Sequence, residues 1–144
     1  MELFAILRFV FLILISFFLL RTLQILNNNL DVAPEDEPER QAVIKILTGV
    51  ENVASEGRDT FPIGDELTLG RDPRNSLLVT DAFASGFHLR ILKTGINQYT
   101  LEDLNSSNGT FLNGVQVEKT STLKEGDHIR VGRTEFVFKL LPMN

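Results

Sequence analysis

From Leu3 to Leu20 the chain is apolar at nearly every position, with Arg8 and Ser16 the only strongly polar interruptions. The apolar residues fall on all helical faces instead of one stripe, which predicts a helix meant to be covered all round. At ~1.5 Å per residue the stretch rises about 27 Å, near the roughly 30 Å apolar thickness of a bilayer. Residues 1–26 are therefore expected to form a single transmembrane α-helix. A cleaved secretory signal is the competing assignment. Arg21-Thr22-Leu23-Gln24 follows with no small-x-small cleavage site, which favours an uncleaved anchor. Arg21 and Arg40 put the C-terminal side in the cytoplasm by the positive-inside rule. The expectation is a single-pass plasma-membrane protein with a cytoplasmic C-terminal domain, its short layout bacterial in type.

The pattern changes at Asn27. Through residue 40 almost nothing is apolar, and Asp31, Glu35, Asp36, Glu37 and Glu39 face only Arg40. Residues 27–40 read as an acidic linker that resists collapse. From residue 41 to 144 the apolar residues return in short runs rich in Val, Ile, Leu and Phe, separated by Gly, Pro, Asn and Asp. Strands are expected at 42–49, 58–63, 66–69, 76–79, 87–93, 98–104, 115–117, 128–131 and 134–141. Asp72-Pro73, Asn108-Gly109, Asn113-Gly114 and Glu125-Gly126-Asp127 supply the turns. The fold class is all-β, an antiparallel β-sandwich preceded by the transmembrane helix.

Composition narrows the chemistry. The 144 residues suit one domain, and 14 Lys plus Arg against 19 Asp plus Glu give a net charge of -5, the wrong sign for nucleic acid. No Cys is present, which removes disulfides, thiolate metal sites and cysteine nucleophiles. The mean hydropathy of +0.05 is an average of the apolar helix and a nearly charge-balanced remainder. His88 and His128 each lie in an expected strand, without metal-ligand spacing, and the carboxylates form no recognisable acid/base pair. No enzyme, small-molecule substrate, metal or cofactor is expected.

A set of small polar donors does gather in the expected loops: Arg71 after Leu69-Gly70, Ser85 after Asp81-Ala82-Phe83-Ala84, and Asn105-Ser106-Ser107-Asn108 before Gly109. A guanidinium and two hydroxyls converging from separate loops suit an anion such as phosphate. Taken singly, Arg71 is a surface charge, the serines form turns, and Asn-Gly marks a hairpin. Their order and spacing together resemble the forkhead-associated (FHA) domain, a phosphothreonine-binding β-sandwich, over residues 42 to 141. The resemblance rests on Leu67-Thr68-Leu69-Gly70-Arg71 with Asn75, on Ser85-Gly86-Phe87-His88-Leu89-Arg90-Ile91, on the run from Leu101 through Asp103-Leu104-Asn105-Ser106-Ser107-Asn108-Gly109-Thr110 to Asn113-Gly114, and on Leu123-Lys124-Glu125-Gly126-Asp127 with Ile129-Arg130-Val131-Gly132.

The resemblance implies that Arg71, Ser85 and Ser107 contact phosphate and that Asn108 holds the ligand's main chain. Gly86 and Ser106 are candidate peptide contacts, while Gly70, His88 and Gly109 support the site. Gly86 departs from the family, many of whose members carry Arg or another polar side chain there. The expected function is a membrane-anchored adaptor. It would bind Thr-phosphorylated proteins, substrates of a Ser/Thr kinase, and recruit them to the cytoplasmic face of the membrane. The alternative is a phosphate-independent protein-interaction module on the same sandwich.

Overall fold

The computed structural model describes residues 2–28 and 38–143, leaving aside the side chains of 2–6 and 24–28. It divides into two compact units, Met1–Glu35 and Asp36–Asn144. In the first, a helix α1 spans Glu2–Asn28. Among the described residues no helix is long and apolar enough to cross a membrane, which overturns the expected transmembrane anchor and the single-pass plasma-membrane placement. Arg8 and Arg21 bracket the uncharged stretch Phe9–Leu20, which rises only about 18 Å against the roughly 30 Å of hydrocarbon that a spanning helix must match.

Of the expected acidic linker, residues 29–37 lie outside the described residues. Its end is part of the second unit. The Pro38 carbonyl accepts a hydrogen bond from Asn97 Nδ2 at 3.0 Å, the Arg40 amide donates to Asn97 Oδ1 at 2.8 Å, and Glu39 pairs with Lys93.

The second unit is a sandwich of two sheets. Its strands are β1 (Arg40–Thr48), β2 (Thr60–Pro62), β3 (Glu66–Gly70), β4 (Leu77–Leu78), β5 (Leu89–Gly95), β6 (Gln98–Asp103), β7 (Thr110–Leu112), β8 (Val115–Gln116), β9 (Thr120–Leu123), β10 (His128–Val131) and β11 (Thr134–Pro142). One sheet runs β2-β1-β11-β10-β7-β8 and the other β4-β3-β5-β6-β9. Period-two alternation builds the core between them. Ala42, Ile44 and Ile46 of β1 face Leu140, Phe138 and Phe136 across the ladder. They meet Leu69, Leu89, Ile91 and Leu101 of the second sheet in one apolar cluster, where Tyr99 and Phe138 pack at a ring separation of 5.5 Å. Burying each of these large side chains contributes about 1.5–3 kcal/mol.

The all-β expectation holds, with two departures. The pairing of β3 with β4 is parallel, Leu69 opposite Leu77, whereas every strand pair was expected to be antiparallel. The cause is local: the Ser76 amide donates to Thr68 Oγ1 at 2.9 Å and Ser76 Oγ accepts from the Thr68 amide at 3.3 Å, drawing the returning chain alongside β3. β7 and β9 were also not anticipated. Thr110-Phe111-Leu112 is short and hemmed in by turn residues, and Thr120-Ser121-Thr122 is polar at three successive positions, so neither stands out by alternation.

Register places the functional end. Leu69 lies opposite Leu89, Leu89 opposite Asp103, and Val131 opposite Thr110. The loops that follow β3, precede β5, follow β6 and join β10 to β11 therefore open at the same end of the sandwich.

Candidate functional site: four loops around Arg71

Gly70 ends β3 against the backbone of residues 85–86. The Arg71 amide donates to the Ser85 carbonyl and the Asp72 amide to the Gly86 carbonyl, both at 2.9 Å. Asn75 Nδ2 reinforces the seam, donating to the carbonyls of Asp72 at 2.8 Å and Gly86 at 2.7 Å. These bonds fix Arg71 beside Ser85. The second serine is tied to the first directly: the Ser107 amide donates to Ser85 Oγ at 3.0 Å, and the two hydroxyl oxygens are 3.5 Å apart. So long a hydroxyl contact is weak, and both protons can turn to an incoming anion.

His88 holds the two serine loops together from beneath. It is fully buried, its Nδ1 accepts from the Ser85 amide at 2.9 Å, and its Nε2 proton is directed at the Gly109 carbonyl at 3.3 Å. Acceptance at Nδ1 requires the neutral ring, and with Nδ1 as acceptor the proton sits on Nε2. Burial, more than its neighbours, depresses the imidazole below its usual 6.5, while the Gly109 carbonyl, Asp103 and Asp81 pull the other way. Asp103 organises the loop above: it accepts from the Ser106 amide at 3.0 Å, from Ser106 Oγ at 2.7 Å and from Thr110 Oγ1 at 2.5 Å. Ser106, expected as a possible peptide contact, thus commits its hydroxyl proton to Asp103. Burial pushes the Asp103 carboxyl up, but the hydrogen bonds of Thr110 and Ser106 outweigh it and hold it low.

The sign of the pH dependence follows from His88. Its folded pKa is depressed, so its contribution to stability is complete above 6.5 and declines as pH falls through 6.5 toward the lower folded value. Asp103 and Asp81 are held below the ordinary 3.8, so their contributions fade only under about pH 4. Thermal melts from pH 7.5 to 5 should show a falling midpoint. A midpoint flat across that range would mean that the ring can be protonated in place.

The remaining residues complete the rim. Asn108 is exposed and its Nδ2 donates to the Phe83 carbonyl at 2.9 Å. Its Oδ1 has no partner among the described residues. Gly109 adopts φ 78, and a Cβ there would meet Gln116 Nε2 at 2.4 Å, so the support role expected of it has a steric basis. Gly86 has open space around it, with nothing within 4 Å of where a Cβ would stand. A shallow pocket of about 310 Å³ adjoins Asn108, walled by Phe83, Phe111, Arg130 and Arg133.

Arg71 differs from the other arginines at its end of the sandwich, Arg74, Arg130 and Arg133, each of which has a polar partner. Lys45 pairs with Asp59 at 3.2 Å and Arg90 with Glu102 at 2.6 Å. Next to the site, Arg74 pairs with Asp72 at 2.9 Å and lowers that carboxyl to about 2. The Arg71 guanidinium is exposed and has no hydrogen bond or ion pair among the described residues. Likewise, no group of His, Asp and Glu among the described residues is arranged to hold a metal ion.

Comparison with known proteins agrees with this geometry. The FHA domain profile matches residues 67–132. The oxoglutarate dehydrogenase inhibitor of Corynebacterium jeikeium is 31% identical over 105 residues, which cover 72% of this chain and 68% of that protein. The chain belongs to the FHA domain family. FHA domains are interaction modules, not enzymes. The transcriptional regulatory protein EmbR of Mycobacterium tuberculosis is 38% identical over 72 residues, and the match covers 50% of this chain but only 18% of EmbR. The solved structure of EmbR in complex with a low-affinity phosphopeptide superposes with a TM-score of 0.62 at 27% identity, covering 73% of this chain and 26% of that one. An FHA domain solved in a study of phosphothreonine-dependent FHA interactions superposes at 0.61 and 27% identity, covering 72% of this chain and 99% of that one.

The structure thus brings Arg71, Ser85, Ser107 and Asn108 of this FHA domain to one end, with Gly70, His88 and Gly109 beneath them. Sequence reasoning gave no role to Asn75, Asp81 or Asp103. Asp103 had a local signal, an acidic residue three positions before a serine, as in side-chain-capped turns. Asn75 stood within the pattern that carries the resemblance, without a role of its own; Asp81 acts across loops, so no local pattern betrays it.

Proposed function

We propose that residues 41–144 are a phosphothreonine-peptide reader that serves as an adaptor for Thr-phosphorylated proteins, substrates of a Ser/Thr kinase. In this reading Arg71, Ser85 and Ser107 take the phosphate and Asn108 takes the peptide main chain. The observation that carries it is that the backbone of Arg71, whose exposed guanidinium has no partner among the described residues, is bonded to the Ser85 carbonyl while the Ser107 amide is bonded to Ser85 Oγ, so that the three residues share one end of the sandwich. A phosphate dianion supplies what that cluster lacks, with charge-assisted bonds worth roughly 1.5–3 kcal/mol each. The phosphopeptide bound to EmbR supports the reading. Calorimetry with a phosphothreonine peptide and its unphosphorylated twin tests it: the reader binds only the first.

Gly86 favours a second reading, a phosphate-independent interaction module, because the loop beside Ser85 offers no side chain at this point. Equal affinity for the twin peptides would select it. The same residue offers a gain-of-function test. Gly86 lies outside the positive-φ region and has room for a Cβ, so Gly86→Arg adds a guanidinium without strain. It should tighten phosphopeptide binding about threefold to tenfold at unchanged melting temperature. Weaker or unchanged binding would show that position 86 faces away from the ligand.

A further inference from the structure

Asp81 is a carboxylate in an unusual place. Its side chain is fully buried at the base of the loop that carries Ser85, and burial alone would push its carboxyl up. Two backbone amides prevent that. Oδ1 accepts from the Phe83 amide at 2.9 Å and Oδ2 from the Arg133 amide at 2.7 Å, in the turn between β10 and β11. One carboxylate therefore bridges two loops that are 52 positions apart in sequence. The turn is shaped to admit it: Gly132 adopts φ 59, and a Cβ there would lie 2.9 Å from Asp81 Oδ2 and 3.0 Å from Phe83 Cβ. The Arg133 guanidinium then lies over the Phe83 ring at 5.5 Å.

The link continues to the rim. Phe83, whose amide is held by Asp81, offers its carbonyl to Asn108 Nδ2. Asn108 is thereby oriented by a chain of bonds running Asp81, Phe83, Asn108, while Arg71, Ser85 and Ser107 are joined by the separate seam described above. A buried charge is costly to desolvate and is retained where its hydrogen bonds hold several elements at once.

We propose that Asp81 is a positioning residue for the peptide-binding half of the site: it aims Asn108 at the ligand main chain and locks the Arg133 turn beside it, without touching the phosphate. The proposal rests on the phosphopeptide reading. It divides the site into a phosphate half that is insensitive to Asp81 and a main-chain half that depends on it.

The division is testable with two ligands on the full chain, a phosphothreonine peptide with residues on both sides and N-acetyl-phosphothreonine amide, titrated by NMR. Asp81→Asn keeps one acceptor oxygen and sets an NH2 group against one of the two amides. The longer peptide should lose about tenfold in affinity, one hydrogen-bonded contact's worth, while the amino-acid derivative stays within about twofold. The Phe83 or Arg133 amide resonance should move. Asn108→Ala should give the same pattern, and the double variant should bind no more weakly than either single one, as expected of residues acting in series. If Asp81→Asn does not fold, Gly132→Ala, which crowds the same carboxylate, should give the same split between ligands. Equal losses for both ligands, parent-like binding of the longer peptide, or additive effects in the double variant would overturn the proposal. If the parent itself binds neither ligand, the phosphopeptide reading has failed, and the positioning role falls with it.

Discussion

Replacing Arg71 by alanine is expected to abolish phosphothreonine-peptide binding while leaving the sandwich folded. The side chain is exposed and makes no ion pair or hydrogen bond among the described residues, so its loss removes little packing. What it removes is the guanidinium of the residue whose backbone is bonded to that of Ser85. A phosphate carries roughly -1.5 to -2 charge at pH 7, and the charge-assisted bonds of one guanidinium to it are worth about 3 kcal/mol, on the order of a hundredfold in affinity. Ser85→Ala and Ser107→Ala should each cost about 1–2 kcal/mol, since each removes one neutral donor. Ser85→Ala also strips the acceptor of the Ser107 amide, so it should be the larger of the two. Calorimetry at fixed ionic strength measures the series, with melting temperature as the control for folding. Arg71→Ala binding the phosphopeptide as tightly as the parent would eliminate the phosphate-reader assignment.

The sandwich was legible because its long strands announce themselves. In β1 and β11 inward apolar residues alternate with residues that face out, and Asn113-Gly114, at φ 50 and 82, is a turn whose chemistry requires those two residues. Short strands such as β7 carry too few residues for a period to emerge. They exist because the longer β10 offers them a ladder, a tertiary cause that no local window contains. The residues proposed to take phosphate were equally visible as a group, since Arg, Ser and Asn-Gly at those spacings are unusual together. Asp81 was hidden for the opposite reason: a single acidic residue near a turn looks like a solvated loop position. Only the fold shows that it is buried and shared between two loops. The helix was misassigned at the level of length. Hydrophobicity on every face over Leu3–Leu20 points to a spanning helix, but among the described residues no helix is long and apolar enough to cross a membrane. The proposed phosphopeptide site is built only from residues of the second unit.

Gly70→Ala should be the most damaging single-methyl change near the site, acting on stability and binding together. A Cβ on residue 70 would stand 2.1 Å from the Gly86 carbonyl oxygen and 2.9 Å from that of Ser85. The obstructing atoms are backbone, and they belong to the carbonyls that receive the Arg71 and Asp72 amides and Asn75 Nδ2. No side chain can swing aside, so the two loops must part and stretch those bonds. Overpacking of this kind costs about 1–3 kcal/mol and each weakened bond about 1 kcal/mol more, which places the total near ~3 kcal/mol and lowers the melting temperature by roughly 10–20 °C. Parting the loops also separates Arg71 from Ser85, so phosphopeptide binding should fall more steeply than in Ser85→Ala, even at temperatures where the variant is fully folded. Gly86→Ala is the matched control: it adds the same methyl on the other side of the seam, into open space, and should change stability by less than about 0.5 kcal/mol. Parent-like melting and binding for Gly70→Ala would mean that the end of β3 stands further from the Ser85 loop than the seam requires, and the positioning of Arg71 would need another cause.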